Sequence, residues 1–413
     1  MLIINKLSFL ALIKNMYDLI IIGGGPAAVF AAVVFKFNNP NKNVLILEKS
    51  STLLSKLLIS GGGRCNITNI NLDLNELSNY YPRGFKELRS ALLKFGPKDL
   101  IEWFEKRKVF FKEEENGKIF PKSDDSETIA NILKDDLKKL GCDVLFDVDV
   151  LSIKKEEDFE LAVQNEMFYS KNILIATGSS KSGYVLAKSL KHSIIDPIPS
   201  LFSFKIKDFK LQNLAGISKK AVFVKIKETK FSYYGDILIT KVGFSGPSII
   251  YLSSYAAKFL KSANYKAELL IDWINSFSNE KAYSTLLKLK KDSPLKYLHN
   301  ENPFDISKNL WKYFLDCFDI KKSLKDISNK SFLSLIDKLK NDSYNIDGRG
   351  AFGDEFVTCG GVNLKEIDFK TMESKLIKNL YFAGEILDID GITGGFNLQS
   401  CWTTAYIAAQ SII

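Results

Sequence analysis

One stretch limits the fold more than any other. In "YDLIIIGGGPAAVFAAVVF" a continuous apolar run (17–22) leads straight into three glycines, and an Ala/Val/Phe run of helical composition follows. A second apolar run, "NVLILEK" (43–49), comes next and ends on Glu48 and Lys49. Apolar runs without alternation read as strands covered on both faces, and strands joined through a helix build a parallel sheet. The glycine pattern is Gly23-x-Gly25-x-x-Ala28, with Pro26 and Ala27 between. Gly23 permits a tight turn, Gly25 lets backbone approach a pyrophosphate, and Ala28 lets helix and strand pack closely. The helix N-terminus offers N–H groups and a positive dipole end to phosphates, and Glu48 can accept hydrogen bonds from ribose hydroxyls. The unit predicts a dinucleotide-binding strand–helix–strand fold; the plainer alternative is a glycine turn of an ordinary parallel sheet.

The rest of the chain says which dinucleotide. "DDSETIANILKDDLKKLG" reads as a helix, with Asp124 and Glu127 resembling a capping box and Gly141 placed as a stop. "KNILIATGSS" is a further buried strand ending at Thr177 and Gly178. After about residue 190, short alternating strands predict an antiparallel sheet or barrel, and 273–342 turns Lys/Leu-rich and helical. A late strand, "YFAGE" (381–385), then leads through "DIDGITGG" into a final helix near Gly395–Asn397. An early dinucleotide loop, a middle "ATG" and a late "AGE" favour FAD over NAD as the resident cofactor. A helix N-terminus aimed at the flavin would stabilise its anionic reduced form. Glu385 or Asp388 would bond the ribityl chain or a pyrophosphate-bound water.

Composition closes off other classes. A chain of 413 residues, 46% apolar, supports two or three cored domains. No apolar run is long enough to span a bilayer. Residues 1–15 read as a dispensable extension before Met16. Five cysteines (65, 142, 317, 359, 401) without a CxxC pair predict free thiols, a cytoplasmic location and no metal site. Two histidines nearly exclude a His-based zinc site. Lys+Arg is 57 against Asp+Glu 48, a net +9. A polyanion partner explains that excess, and so does compositional drift toward lysine.

Three further stretches carry a resemblance: "SKLLISGGGRCNITN" (55–69), in which the apolar run before the three glycines reads as strand-like, "GDILITKVGFSGPS" (235–248) and "TMESKLIKNLYFAGEILDIDGITGGFNLQ" (371–399). In these the chain resembles the BaiN/RdsA-type flavoproteins, also called aminoacetone oxidase-like FAD-binding enzymes, from Met16 onward. The resemblance implies an α/β fold, a Rossmann-type two-dinucleotide-binding-fold FAD domain interrupted by a β-rich domain that itself carries a helical insertion. The expected boundaries are 16–190 with 350–413 for the FAD domain, 191–272 with 343–349 for the β-rich domain, and 273–342 for the insertion. Gly23, Gly25, Ala28 and Glu48 would hold the ADP half, with backbone near Val150 at the adenine. Lys56, Gly63, Arg64 and Asn66 would lie along the flavin side, Thr177 and Gly178 would close over the cofactor, and Gly384, Glu385, Gly395, Phe396 and Asn397 would face the ribityl chain and ring. Where the family has His, this chain has Lys241, which puts an imidazole acid–base role there in doubt.

The implied chemistry is an FAD-dependent, NAD(P)H-consuming reduction of a C=C bond, with uridine in ribosomal RNA as the leading substrate. A small-amine oxidase and a non-catalytic flavin-bearing RNA-binding factor are the alternatives. Cys65 and Lys241 are the candidate proton donors. Cys65 beside Arg64 would have a lowered pKa if catalytic, or would simply pack as a small apolar residue. Lysines interleaved with Tyr283, Tyr297, Trp311 and Tyr313 make the insertion either a solvated cap or an RNA-docking surface.

Overall fold

In a computed structural model the chain is described over residues 16–164, 166–350 and 357–413. The expected extension 1–15 lies outside these residues, as do 351–356 of the final segment. Two compact units form: one holds the chain up to Pro197 together with Thr358–Ile413, the other Ile198–Val357.

The first unit is built on a parallel sheet. Tyr17–Ile22 lies between Val44–Leu47 and Glu166–Ile175, with Ile20 opposite both Leu45 and Ile173. Asp143–Leu145 extends one side and Leu380–Phe382 the other. Numbered along the chain, these parallel strands lie in the order 3-2-1-4-5, the doubly wound order of a Rossmann sheet. The order reverses at Tyr17–Ile22, so a crevice opens at its carboxyl end, where Gly23 stands. The last parallel strand comes from beyond residue 358, so this sheet is completed only after the chain has made the second unit. An antiparallel hairpin, Val150–Lys155 with Phe159–Val163, leads into Glu166–Ile175.

The helix Pro26–Asn38 has no polar face, and residues 27–36 are buried, as an Ala/Val/Phe helix must be. Phe30 meets Trp103 and Trp402 edge-on, which joins this helix to the final one, Phe396–Ser411.

Two local readings are corrected. The cap of helix Ser126–Leu140 is Asp125, whose carboxylate accepts from Glu127 N at 2.9 Å; Asp124 is instead taken by Lys112 at 2.6 Å. Gly141 does end that helix, in the left-handed region. "KLLIS" reads like a strand but forms the helical turns of Ser55–Gly63, broken at left-handed Gly61 and Gly62.

The second unit is a closed antiparallel barrel of six strands, from Phe204–Ile206 to Asp342–Arg349. Helices Asn279–Asp292, Lys308–Asp316 and Asn329–Lys340 share one apolar core with it, through Trp273, Leu286, Trp311 and Leu335. The stretch 273–342, expected to stand as its own insertion domain, therefore buries its apolar faces together with the barrel.

Candidate functional site

The crevice beside Gly23 is a cleft of about 260 Å³ lined by Gly23, Glu48, Lys49, Val150 and Thr177. The topology thus gathers residues that the sequence reading singled out separately. Gly23 sits at φ +107°, and a Cβ there would stand 2.6 Å from the Ala176 carbonyl oxygen. Its N–H donates to Leu47 O at 2.8 Å. Gly25 opens the helix with no side-chain cap, and a Cβ on it would meet nothing within 4 Å. Open space therefore fronts uncapped N–H groups, as a bound pyrophosphate requires.

Glu48 is fixed rather than free to swing: Oε1 accepts from Ser50 N at 2.7 Å and from Ser50 Oγ at 2.6 Å. Lys49 pairs with Asp149 at 2.8 Å on the rim. The Thr177 hydroxyl is buried with no protein partner, a cost that a bound ligand relieves. Uncapped Gly25, fixed Glu48 and orphaned Thr177 together fit a dinucleotide. Ser50, Asp149, Ser180, Ser182 and Leu186 also line this cleft. Sequence reading did not single them out, because Ser182 and Leu186 lie on the helix Lys181–Ser189 and the others in connecting turns, and only the fold brings them to the cleft.

A second cluster joins segments far apart in sequence. Lys56 Nζ lies 2.7 Å from Glu385 Oε2 and 3.0 Å from Ser179 Oγ. Glu385 also accepts from Thr358 N at 3.2 Å, and a Cβ on Gly178 would lie 3.6 Å from it. Lys56, Gly178 and Glu385 are thereby brought together. Gly384, at φ +78°, would place a Cβ 2.8 Å from the Ala27 methyl, and its N–H donates to Thr404 Oγ1 at 3.0 Å. The turn is pinned between the first and last helices.

In the loop before the last helix, most singled-out side chains serve the loop itself. Asn397 accepts from Gly391 N and donates to Gly391 O, each at 2.8 Å. Asp388 accepts from Gly360 N at 3.0 Å. Phe396 is buried and stacks on Tyr80, centroids 4.8 Å apart. Gly395, at φ +96°, leaves no room for a Cβ, which would fall 2.5 Å from Thr68 O. The loop also carries a pair that no motif announces: Arg83 grips Asp390 through Nε and Nη2, and Asp390 is fully buried.

The second glycine run differs from expectation. Arg64 is bound by Glu114 at 2.8 Å and Asp124 at 3.4 Å, and lies 4.1 Å over the Phe120 ring. Hydrogen bonding from Arg64 holds the Glu114 carboxyl below its ordinary range; Lys112 does the same for Asp124. Cys65 is fully buried, and burial pushes its thiol up to about 12. The lowered pKa expected of Cys65 beside Arg64 is therefore absent. Arg64 cannot supply it, because carboxylates already neutralise that charge. Asn66 faces inward and accepts from Ile119 N at 3.2 Å. A Cβ on Gly63 would meet nothing within 4 Å. Asn69, unremarked in sequence, donates to Gly394 O at 3.1 Å and so ties this stretch to the last helix. Lys241 belongs to the second unit, exposed on the turn between Ser232–Ile239 and Gly243–Ser245.

Among the described residues, no helix is long and apolar enough to cross a membrane, and no group of three or more His, Cys, Asp or Glu could hold a metal ion.

Comparison with known proteins gives a consistent picture. The family model described as the HI0933-like protein Rossmann domain matches residues 17–411. The ribosomal RNA dihydrouridine synthase of Haemophilus influenzae is 28% identical, covering 95% of this chain and 98% of its own. The 3-dehydro-bile acid delta(4,6)-reductase of Clostridium scindens is 28% identical with the same coverage. The structure of 3-ketosteroid-delta4-(5alpha)-dehydrogenase from Rhodococcus jostii covers 97% of both chains at a TM-score of 0.50 and 12% identity, a likeness of fold.

Proposed function

The chain belongs to the HI0933-like family, whose members are FAD-dependent oxidoreductases, and on that premise we propose that it reduces uridine in ribosomal RNA to dihydrouridine. One observation carries this reading: relatives aligned over nearly the whole chain, in Haemophilus influenzae and Escherichia coli, are named for that product. The net charge of +9 supports a polyanionic substrate.

FAD, when bound, supplies the hydride-transfer chemistry for C6 of the uracil ring, with a reduced nicotinamide as electron source. Gly23 and Gly25 would let the dinucleotide's phosphates approach with Ala28 packed behind them, Glu48 and Thr177 would take its nucleoside hydroxyls, and Lys56 with Glu385 fix the turn that follows the strand Leu380–Phe382. C5 needs a proton. The candidate donors are Cys65, whose thiol burial pushes up to about 12, and Lys241. An uncatalysed uracil in folded RNA must also leave its stack to react. An rRNA substrate places the work in the cytoplasm.

A second reading rests on the Clostridium scindens relative, equally similar and named for a bile acid reductase. There the same site would saturate a conjugated double bond of a small polycyclic ketone. Mass spectrometry of rRNA nucleosides from cells with and without this gene separates the two. Dihydrouridine lost on deletion supports the RNA reading, and dihydrouridine unchanged overturns it.

A further inference from the structure

In the second unit, residues 293–298 and 321–327 fold against each other. Leu324 N donates to Lys296 O at 2.8 Å, Lys325 N to Pro294 O at 2.9 Å, and Tyr297 bridges Ser323. Leu298 and Leu324 anchor the pairing in the core at 0% exposure. Lys290 reaches under it to Ile327 O at 2.6 Å. What remains outside is unusual for a surface. Leu295 is 72% exposed and Tyr297 51%, and on or beside the same two segments Lys291, Lys296, Lys321, Lys322 and Lys325 are exposed, against Asp292 and Asp326.

The other aromatics of this stretch do not share that position. Trp311 is buried with its indole N–H on Leu298 O at 3.0 Å, and Tyr283 and Tyr313 pack on the core. Tyr297 alone of the four stands outward. The charges around it divide as well. Lys296 is paired with Glu301 and Lys321 with Asp319. Lys291, Lys322 and Lys325 make no ion pair among the described residues. An exposed aromatic face beside a lysine excess that is outside any ion pair is the combination that holds a single-stranded nucleic acid, with a base stacked on the ring and phosphates on the lysines.

We propose that this ledge docks a single-stranded segment of RNA, with Tyr297 stacking a base and Lys322 and Lys325 taking backbone phosphates. The proposal rests on the RNA reading above and names the surface by which this unit would engage such a substrate. An acidic protein is the competing occupant. It would use the lysines but gain little from a flat ring.

The test measures binding of fluorescein-labelled single-stranded oligouridine to the full-length, FAD-loaded protein by anisotropy, across a salt series. Tyr297→Ala is expected to weaken binding roughly tenfold, and Tyr297→Phe to restore it, because the stack needs the ring and not the hydroxyl. Lys322→Gln with Lys325→Gln is expected to flatten the log–log salt slope by about 1.4, since each single-strand phosphate contact contributes about 0.7. All three side chains are exposed, and an unchanged melting temperature identifies the loss as one of binding. Wild-type affinity and slope in these variants overturn the ledge and favour an acidic protein partner. The rRNA nucleoside measurement is independent. Dihydrouridine lost on gene deletion beside unaffected variants sinks the ledge and keeps the reading. Dihydrouridine retained beside weakened variants sinks the reading and keeps the ledge as an RNA-binding surface.

Discussion

The two glycine runs look alike on paper and are held by different forces. Gly23–Gly25 joins a buried strand to a buried helix, with Gly23 set against Ala176 at the end of the neighbouring strand and Gly25 facing open space. Gly61–Gly63 closes a short helix, and its crowded end is set against the chain that directly follows it and against an aromatic ring. A Cβ on Gly61 would lie 2.8 Å from Asn66 N and 3.0 Å from the Phe120 ring, while Asn66 is itself tied to Ile119 N. The first run carries no charge, whereas the second ends in Arg64, already matched by Glu114 and Asp124. Gly62 and Gly63 face open space as Gly25 does, so the runs differ in what crowds Gly23 and Gly61 and in the matched charge at Arg64.

Gly23→Ala should break the contrast most sharply. At φ +107° with a Cβ 2.6 Å from Ala176 O, alanine must move the turn away from the crevice. Backbone strain and overpacking together cost about 2–4 kcal/mol, so FAD affinity should fall by roughly two orders of magnitude or more. Flavin content of the purified variant, read by its visible absorbance, checks this. A variant that keeps a full complement of FAD would show that the turn yields without harming the cradle.

Gly61→Ala should act on stability before cofactor. The left-handed φ of +58° costs alanine about 1 kcal/mol or somewhat more, and the contact with Asn66 N adds to it. The expected result is a lower melting temperature by several degrees in apo and holo protein alike, with FAD affinity changed far less than by Gly23→Ala. An equal loss of FAD in both variants would erase the difference between the runs.

The parallel strand–helix–strand unit, the turn at Gly23 and the acid at Glu48 were legible because each rests on residues within one short stretch of chain. The split of the first unit was legible too, since "YFAGE" repeats a strand-into-helix texture late in the chain. What stayed hidden depends on partners far away in sequence. Lys56 meets Glu385, Arg83 meets Asp390, and Trp311 turns inward because the helices share the barrel's core. "KLLIS" misled because four apolar or small residues fit a strand or one helical turn equally, and only the contacts of Gly61 decide. Asp124 misled by one position, because its carboxylate was already drawn to Lys112.

The smallest effect is expected at Cys65, and it bears on whether the second run does chemistry at all. With the side chain fully buried and the thiol pushed up to about 12, almost no thiolate exists near neutrality. Cys65→Ala should leave turnover within about twofold, because a residue that only packs contributes nothing specific to the transition state. Iodoacetamide at mildly alkaline pH should label exposed Cys317 and spare Cys65 until the protein unfolds. The pH dependence has a definite sign. The folded pKa lies above the value of about 8.5 for an unfolded thiol, so burial's contribution to stability is complete below that value. It is lost as pH rises from there toward about 12. Wild-type protein should therefore lose more stability than Cys65→Ala across that alkaline range and match its trend below it. A large fall in turnover in Cys65→Ala at unchanged flavin content would return the thiol to the chemistry, and with it the second glycine run.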